Sequence, residues 1–262
     1  MAHAVVTTVR NATGTDESIG RMFASELGTV FVERNNYSIA NLKNLYNVEN
    51  IVVVTKSGPV IYTLAGEYYF HLSMAELRIK NLKNGKHDHM TDAMGLFPNA
   101  SVLDCTLGLA SDAIVASYCV GNNGKVVGLE ASPLLALITK YGLQNHISDL
   151  PGVTEALRSI TVENADYNSQ LAKYDDNSFD VVYFDPMFRR PVHESSNMKP
   201  LRYLADHRPL TVEAVNEAKR VAKRRIVIKE TKDSSEFSRL GVDTIVGGKY
   251  SSVSYGLIQL GG

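Results

Sequence analysis

The chain has no tryptophan, only two cysteines and no apolar run long enough to span a bilayer, and neither sign of charge dominates. Each shortage closes off a class of protein. Two thiols, Cys105 and Cys119, cannot staple 262 residues, so reduced cysteines and a cytoplasmic setting are expected. A membrane helix needs ~20 consecutive apolar residues, and none of that length is present. Met1 to Arg10 carries neither the apolar stretch nor the cleavage site of a secretory signal. With 27 basic against 28 acidic side chains the net charge is −1, which excludes a polybasic tail protein and an acidic solvating chain. Nucleic acid stays open, because a local basic face can sit on a neutral protein. What remains is ordinary globular composition, 44% hydrophobic and 21% charged, enough for one large domain with a smaller one beside it. No internal repeat or low-complexity linker divides the chain.

Residues 1–95 read as a small α+β module. Thr15 can cap a helix whose apolar positions Ile19, Met22, Phe23 and Leu27 share a face, with Gly28 ending it. Ser38 can start a second helix. Ile51–Thr55 and Val60–Leu64 flank a Lys56-Ser-Gly-Pro59 turn and read as a hairpin. Ser73 to Glu76 has capping-box spacing and opens a helix toward Leu82. Its Arg78, Lys80, Lys83 and Lys86 read first as a solvated face, with phosphate contacts as the alternative. His87-Asp88-His89 offers metal-ligand types, but its spacing is wrong for a compact pair and no further ligand lies nearby, so a polar helix end or a lid is the better reading and no metal is expected.

Residues 96–262 change character. Ser101–Asp104 is a short apolar strand, Thr106 to Ala110 a tight glycine turn, and Ser111-Asp112 opens a helix. Lys125–Glu130 is a second strand ending in an acid, followed by Ser132-Pro133 as a helix start. Apolar strands alternating with helices indicate an α/β fold with a parallel sheet covered on both faces, and such sheets bind ligands beyond the carboxyl ends of their strands. A dinucleotide site wants G-x-G-x-x-G. Here the pattern is Gly108-x-Ala110 with Ala113 in the last place, a poor phosphate cradle. S-adenosylmethionine (SAM) has no phosphate and carries a sulfonium, and the acids Asp104 and Asp112 around the turn suit it better; as a plain alternative they only cap and start a helix. Gly108 lets the backbone approach a ligand, and Glu130 can accept from ribose hydroxyls. Leu157–Asp166 reads as a third strand, whose terminal Asn164 and Asp166 can meet an adenine amino group. Cys105, inside the turn motif, reads as a small buried hydrophobe with no base to activate it.

A fourth apolar strand from Ser178 ends in Asp185-Pro186-Met187-Phe188. Amino-group methyltransferases carry Asp/Asn-Pro-Pro-Tyr/Phe here. An exocyclic base nitrogen is a poor nucleophile, and a side-chain oxygen with a backbone carbonyl, both accepting from the NH₂, can hold it toward the methyl. Pro186 has no N–H and fixes the backbone, and Phe188 can stack on a flipped base.

At this point the sequence resembles the small-subunit rRNA methyltransferase J family, which methylates a guanine N2 of 16S rRNA. Asp104-Cys-Thr-Leu-Gly-Leu-Ala-Ser-Asp-Ala113 is similar to its D-A-T-A-G-L-G-R-D-A motif, and Asp185 to Phe188 to its D-P-M-F. Phe70-His71, Ser73-Met-Ala and Arg78-Ile79 resemble the segment before that family's SAM motif. Ala110 and Ser111 replace a Gly and an Arg, and Ala131 another Arg, as in a divergent branch. The resemblance implies a Rossmann-like, mostly parallel seven-stranded sheet closed by an antiparallel pair (Val242–Val246 and Ser252–Leu260). It implies SAM contacts at Ser111, Asp112, Glu130, Ala131, Asp166 and Asp185, to which the turn adds Asp104, Thr106 and Gly108. The catalytic set is then Asp185, Pro186 and Phe188.

The segment after Phe188 is unusually long and basic, so Arg189, Arg190, Lys199 and Arg202 are the expected RNA contacts. A second run, Lys219-Arg220 and Lys223 to Arg225, reads as a solvated helix end. The leading function is a SAM-dependent RNA N-methyltransferase. DNA-adenine or protein methylation, a non-catalytic SAM- or nucleotide-binding module, and an NAD-dependent dehydrogenase compete with it. Oligomeric state is not legible.

Overall fold

The computed structural model describes residues 4–72, 74–187 and 198–261. The elements run β1 (Ala4–Thr8), α1 (Gly14–Glu26), α2 (Ile39–Tyr46), β2 (Asn50–Thr55), β3 (Gly58–Tyr62), β4 (Glu67–Tyr69), α3 (Ala75–Lys83) and α4 (His89–Met94). They continue with β5 (Ser101–Asp104), α5 (Ser111–Val120), β6 (Lys125–Glu130), α6 (Pro133–Asn145), α7 (Val153–Arg158), β7 (Ile160–Asn164), α8 (Tyr167–Gln170) and β8 (Phe179–Phe184). The chain closes with α9 (Met198–Leu204), α10 (Val212–Val221), β9 (Ala222–Thr231), α11 (Glu236–Arg239), β10 (Thr244–Val246) and β11 (Val253–Gln259).

Two sheets result. The first has the order β1-β2-β3-β4, the second β10-β11-β9-β8-β5-β6-β7. In the larger sheet β11 alone runs antiparallel to its neighbours β9 and β10, and the other strands pair in parallel. This is the expected mostly parallel seven-stranded α/β sheet. Its central strands are apolar on both faces because both faces are covered. On one face Ile114 and Val115 of α5 share a core with Ile79 of α3 and Met90 and Met94 of α4. On the other, Leu103, Val182 and Ile226 pack with Ala214, Val215 and Ala218 of α10. A third cluster joins the sheets: Val52, Ile61 and Tyr68 meet Leu134, Leu135 and Ile138 of α6 and Leu201 of α9.

Several local expectations change. Thr13, not Thr15, caps α1, in a reciprocal box with Asp16. Residues 4–8 form a fully buried strand parallel to β2. Pro59 lies inside β3 opposite Val54, so the turn is confined to Lys56 and Ser57. Leu157 and Arg158 end helix α7 and are not part of a strand; Gly152 at its N-cap, with φ +86°, starts that helix. Lys223 to Arg225 belong to β9, with Arg224 stacked on Phe97 and Arg225 donating to the Ala93 carbonyl. The capping role read for Ser73 lies outside the described residues. Among the described residues no helix is long and apolar enough to cross a membrane.

The joint between the sheets is tight at Gly142 of α6. A Cβ there would lie 1.9 Å from Phe70 Cγ, so the ring occupies the missing side chain's place. Gly142→Ala should cost roughly 1–3 kcal/mol, the usual penalty for overpacking a core. Urea denaturation reads it, and an unchanged midpoint would mean that Phe70 is not seated there.

Candidate active site

The carboxyl ends of β5, β6, β8 and β9 meet at one edge of the larger sheet. The glycine turn after β5 occupies that edge. Gly108 has φ +51° and Ala110 φ +62°, both left-handed. Alanine bears a cost of about 1–2 kcal/mol in that region. Glycine, as in the motif this segment resembles, would not. The turn is fixed on three sides. The Thr139 hydroxyl donates to the Gly108 carbonyl at 2.6 Å, Leu107 N–H to the Leu129 carbonyl at 2.9 Å, and Asp185 N–H to Thr106 Oγ1 at 2.6 Å.

Glu130 ends β6 as a buried carboxylate. It accepts from Gly108 N–H at 2.9 Å and from Ser132 N–H at 2.8 Å. Burial raises its pKa against the lowering effect of those two amides. Beside it lies a cleft lined among others by Gly108, Glu130, Ala131, Tyr167, Asp185 and Arg208. Asp166 caps α8 at the rim, where it accepts from Arg208 at 2.8 Å. Asn164 donates to the Glu130 carbonyl at 2.8 Å, which places this side chain on the strand end itself.

A second cleft shares Thr106, Gly108, Asp185 and Met187 with the first. It extends past Ser111 and Asp112 to Lys229 at the carboxyl end of β9, and to Tyr68 and His71 from the N-terminal sheet side. Asp185 and Met187 therefore stand where the two clefts meet. Pro186 lines the first cleft. Asp104 is buried beneath the turn and accepts from Thr106 N–H at 3.0 Å. Burial, countered by that amide and reinforced by Asp112, Asp185 and Glu130, pushes its carboxyl up to about 8.

Thus Asp104, Thr106, Gly108, Ser111, Asp112, Glu130, Ala131 and Asp185 converge on the two clefts, with Asp166 at the rim. Lys199 and Arg202 lie on α9, which packs on β4 and α6. Phe188, Arg189 and Arg190 lie outside the described residues.

The sequence reading missed the ionic partners. Asp112 takes bonds from Arg78 at 2.5 Å, the Tyr183 hydroxyl at 2.7 Å and Lys229 at 3.2 Å. Arg78 also binds Asp88, at 2.7 and 2.9 Å. So Arg78 is not part of a solvated face, and Asp88 both caps α4 and anchors this arginine. Lys229 also lies 2.7 Å from Asp185. Burial would raise the Asp112 carboxyl, but Lys229 and Arg78 outweigh it and hold it well below the usual range. Burial likewise disfavours the Lys229 ammonium, yet Asp185 and Asp112 keep it charged. A signal existed for Lys229: it is the first polar residue after the apolar run Ile226 to Ile228, at a strand's carboxyl end. Arg78 stands in the segment that resembles the family's, but nothing local ties it to Asp112, 34 residues away.

The site suits SAM. The carboxyl groups of Asp104, Asp112, Glu130 and Asp185 surround the glycine turn and give a pyrophosphate no cradle, whereas a ligand without phosphate meets no such obstacle. The Glu130 carboxylate on the cleft wall is an acceptor for sugar hydroxyls.

Comparison with known proteins agrees. Residues 65–251 match the family model described as "Putative SAM-dependent methyltransferase". The Bacillus subtilis protein YpiP is 37% identical over 241 residues, covering 91% of this chain and 93% of YpiP. The protein of Coxiella burnetii named ribosomal RNA small subunit methyltransferase J is 30% identical over 183 residues, 67% of this chain and 68% of its own. The crystal structure of a SAM-dependent methyltransferase from Neisseria gonorrhoeae superposes with a TM-score of 0.66 at 15% identity, covering 97% of this chain and 95% of that one, a likeness of fold.

Proposed function

Because the chain belongs to the SAM-dependent methyltransferase family, we propose that it methylates an exocyclic amine of RNA in the cytoplasm, a guanine N2 of small-subunit rRNA. In this reading residues 1–95 form an N-terminal module and 96–262 the methyltransferase domain. The observation that carries it is the position of Asp185 and Met187 at the junction of the two clefts, with Pro186 on the first, and the bond from the Asp185 amide to the Thr106 hydroxyl of the glycine turn. The relatives named ribosomal RNA small subunit methyltransferase J support the choice of RNA.

SAM, when bound, supplies a methyl group made electrophilic by its sulfonium. The chain's residues do the rest. Glu130 would accept from the ribose hydroxyls, Ala131 and Asp166 would hold the adenine, and Thr106, Gly108, Ser111, Asp112 and Asp104 would hold the methionine end. Asp185 accepts from the target NH₂ and holds the nitrogen's lone pair toward the methyl. The Pro186 carbonyl takes the second N–H, and Phe188 stacks on the base. As nitrogen gains the methyl it sheds one proton, which the Asp185 carboxylate would accept. Reaction of labelled SAM with small-subunit rRNA tests the activity; cofactor binding without label transfer to any RNA would count against it.

In the same reading Arg189, Arg190, Lys199 and Arg202 hold the RNA phosphates. Replacing Lys199 and Arg202 by alanine should lower the slope of log affinity against log salt by roughly 1–2 and leave SAM affinity unchanged. An unchanged slope, read by filter binding at several salt concentrations, would return them to the solvated surface.

A further inference from the structure

Lys229 lies outside every motif that identifies the site, yet its ammonium is the cation closest to Asp185 among the described residues, at 2.7 Å. It is also fixed from behind. Its second carboxylate, Asp112 at 3.2 Å, is itself held by Arg78 and the Tyr183 hydroxyl, and Arg78 is held by Asp88. The chain Asp88–Arg78–Asp112–Lys229–Asp185 therefore runs from the start of α4, through α3 and α5, to the carboxyl ends of β9 and β8. Lys229 lines the second cleft beside Asp185, with about a fifth of its side chain exposed.

From this geometry we infer that Lys229 is a positioning residue for methyl transfer: held by Asp112, its ammonium binds Asp185 Oδ2, orients the carboxylate, and keeps it ionised to accept the target amine. The inference rests on the reading of Asp185 as that acceptor. The surroundings give the lysine this task. Asp185 is crowded by carboxyl groups: Asp112 from α5, Glu230 from β9, and Asp104 from β5, the last pushed up to about 8 and so largely protonated at neutral pH. Tyr183 of β8 and Tyr255 of β11 also face the group and are neutral at working pH, since both phenols are raised chiefly by burial. Burial leaves the Asp185 carboxyl above its ordinary range, and Lys229 is the largest influence that opposes this rise. Lys229 and Arg78 together keep Asp112 charged, so the Lys229 ammonium has a counterion besides Asp185. An ammonium in this state cannot act as a base. Its contribution is electrostatic and geometric, and it passes through Asp185.

Lys229→Met tests this, with Lys229→Arg as the conservative variant and Asp185→Asn as the background that lacks an ionisable acceptor. Single-turnover methyl transfer to small-subunit rRNA is followed against pH at saturating SAM, and SAM affinity is read separately by calorimetry. Without its cation Asp185 should be harder to ionise. The acid limb of the pH–rate profile should move up by about one unit or more. The neutral-pH rate should fall roughly tenfold, with SAM affinity within about threefold of wild type. Lys229→Arg should restore most of the profile. In the Asp185→Asn background Lys229→Met should no longer move the acid limb, as two residues acting in series require. An acid limb that stays in place in Lys229→Met while Asp185→Ala is crippled overturns this inference alone. The same displacement in the Asp185→Asn background also overturns it, because the lysine would then act elsewhere. A wild-type rate in Asp185→Ala overturns the reading of Asp185 and the inference with it.

Discussion

Asp185→Ala is expected to slow single-turnover methyl transfer by ~10²–10³ with SAM saturating, the usual loss when one preorganised electrostatic partner is removed. The carboxylate stands where the two clefts meet, and its own amide is tied to Thr106 of the cofactor turn. In the proposed reading nucleophile and cofactor are thus referenced to the same short stretch of backbone. A misplacement of about an ångström can cost a hundredfold in rate. Asp185→Asn should retain more activity than alanine, because its amide oxygen still accepts from the NH₂. It should also lose part of the grip of Lys229, which favours a carboxylate over an amide. RNA affinity should change little in either variant. A wild-type rate for Asp185→Ala, with the cofactor saturating, would reduce this residue to a turn former.

Glu130→Ala is expected to weaken SAM binding by roughly 1.5–3 kcal/mol, the range for hydrogen bonds to a charged partner. Glu130 has a second duty that alanine also removes. Its two oxygens hold the amides of Gly108 and Ser132, joining the glycine turn to the start of α6. Alanine leaves those donors without their acceptor, so the thermal midpoint should fall together with cofactor affinity. Glu130→Gln separates the two effects. It keeps an acceptor oxygen but loses the charge, so it should recover more of the stability than of the affinity. Calorimetry and thermal melts read both quantities, and unaltered SAM affinity in Glu130→Ala would move the ribose away from the end of β6.

The strand ends and the turn were legible because a parallel sheet covered on both faces writes each central strand as a short apolar run. The first polar residue after such a run marks the ligand edge. Asp104, Glu130 and Asp185 all announced themselves that way. Lys229 obeyed the same rule but sat beside a basic run that drew attention to the surface. The start of β7 was misread because Leu157 looks alike in a strand and in the last turn of a helix; only Gly152, with its left-handed φ, separates the cases. β1 carried no turn signal ahead of it and depends on β2 for its partner. Pairings such as Arg78 with Asp112, or Lys229 with Asp112 across 117 residues, depend on three-dimensional closure and leave no local pattern.

The central claim is that this chain methylates a guanine N2 of small-subunit rRNA. The most direct measurement is mass spectrometry of rRNA nucleosides from cells with and without the gene, repeated with the Asp185→Ala allele restored in its place. The account predicts that one N2-methylguanosine disappears with the gene, returns with the wild-type allele, and does not return with Asp185→Ala. Identical small-subunit nucleosides in all strains, or a lost methyl group on DNA or protein instead, would contradict it.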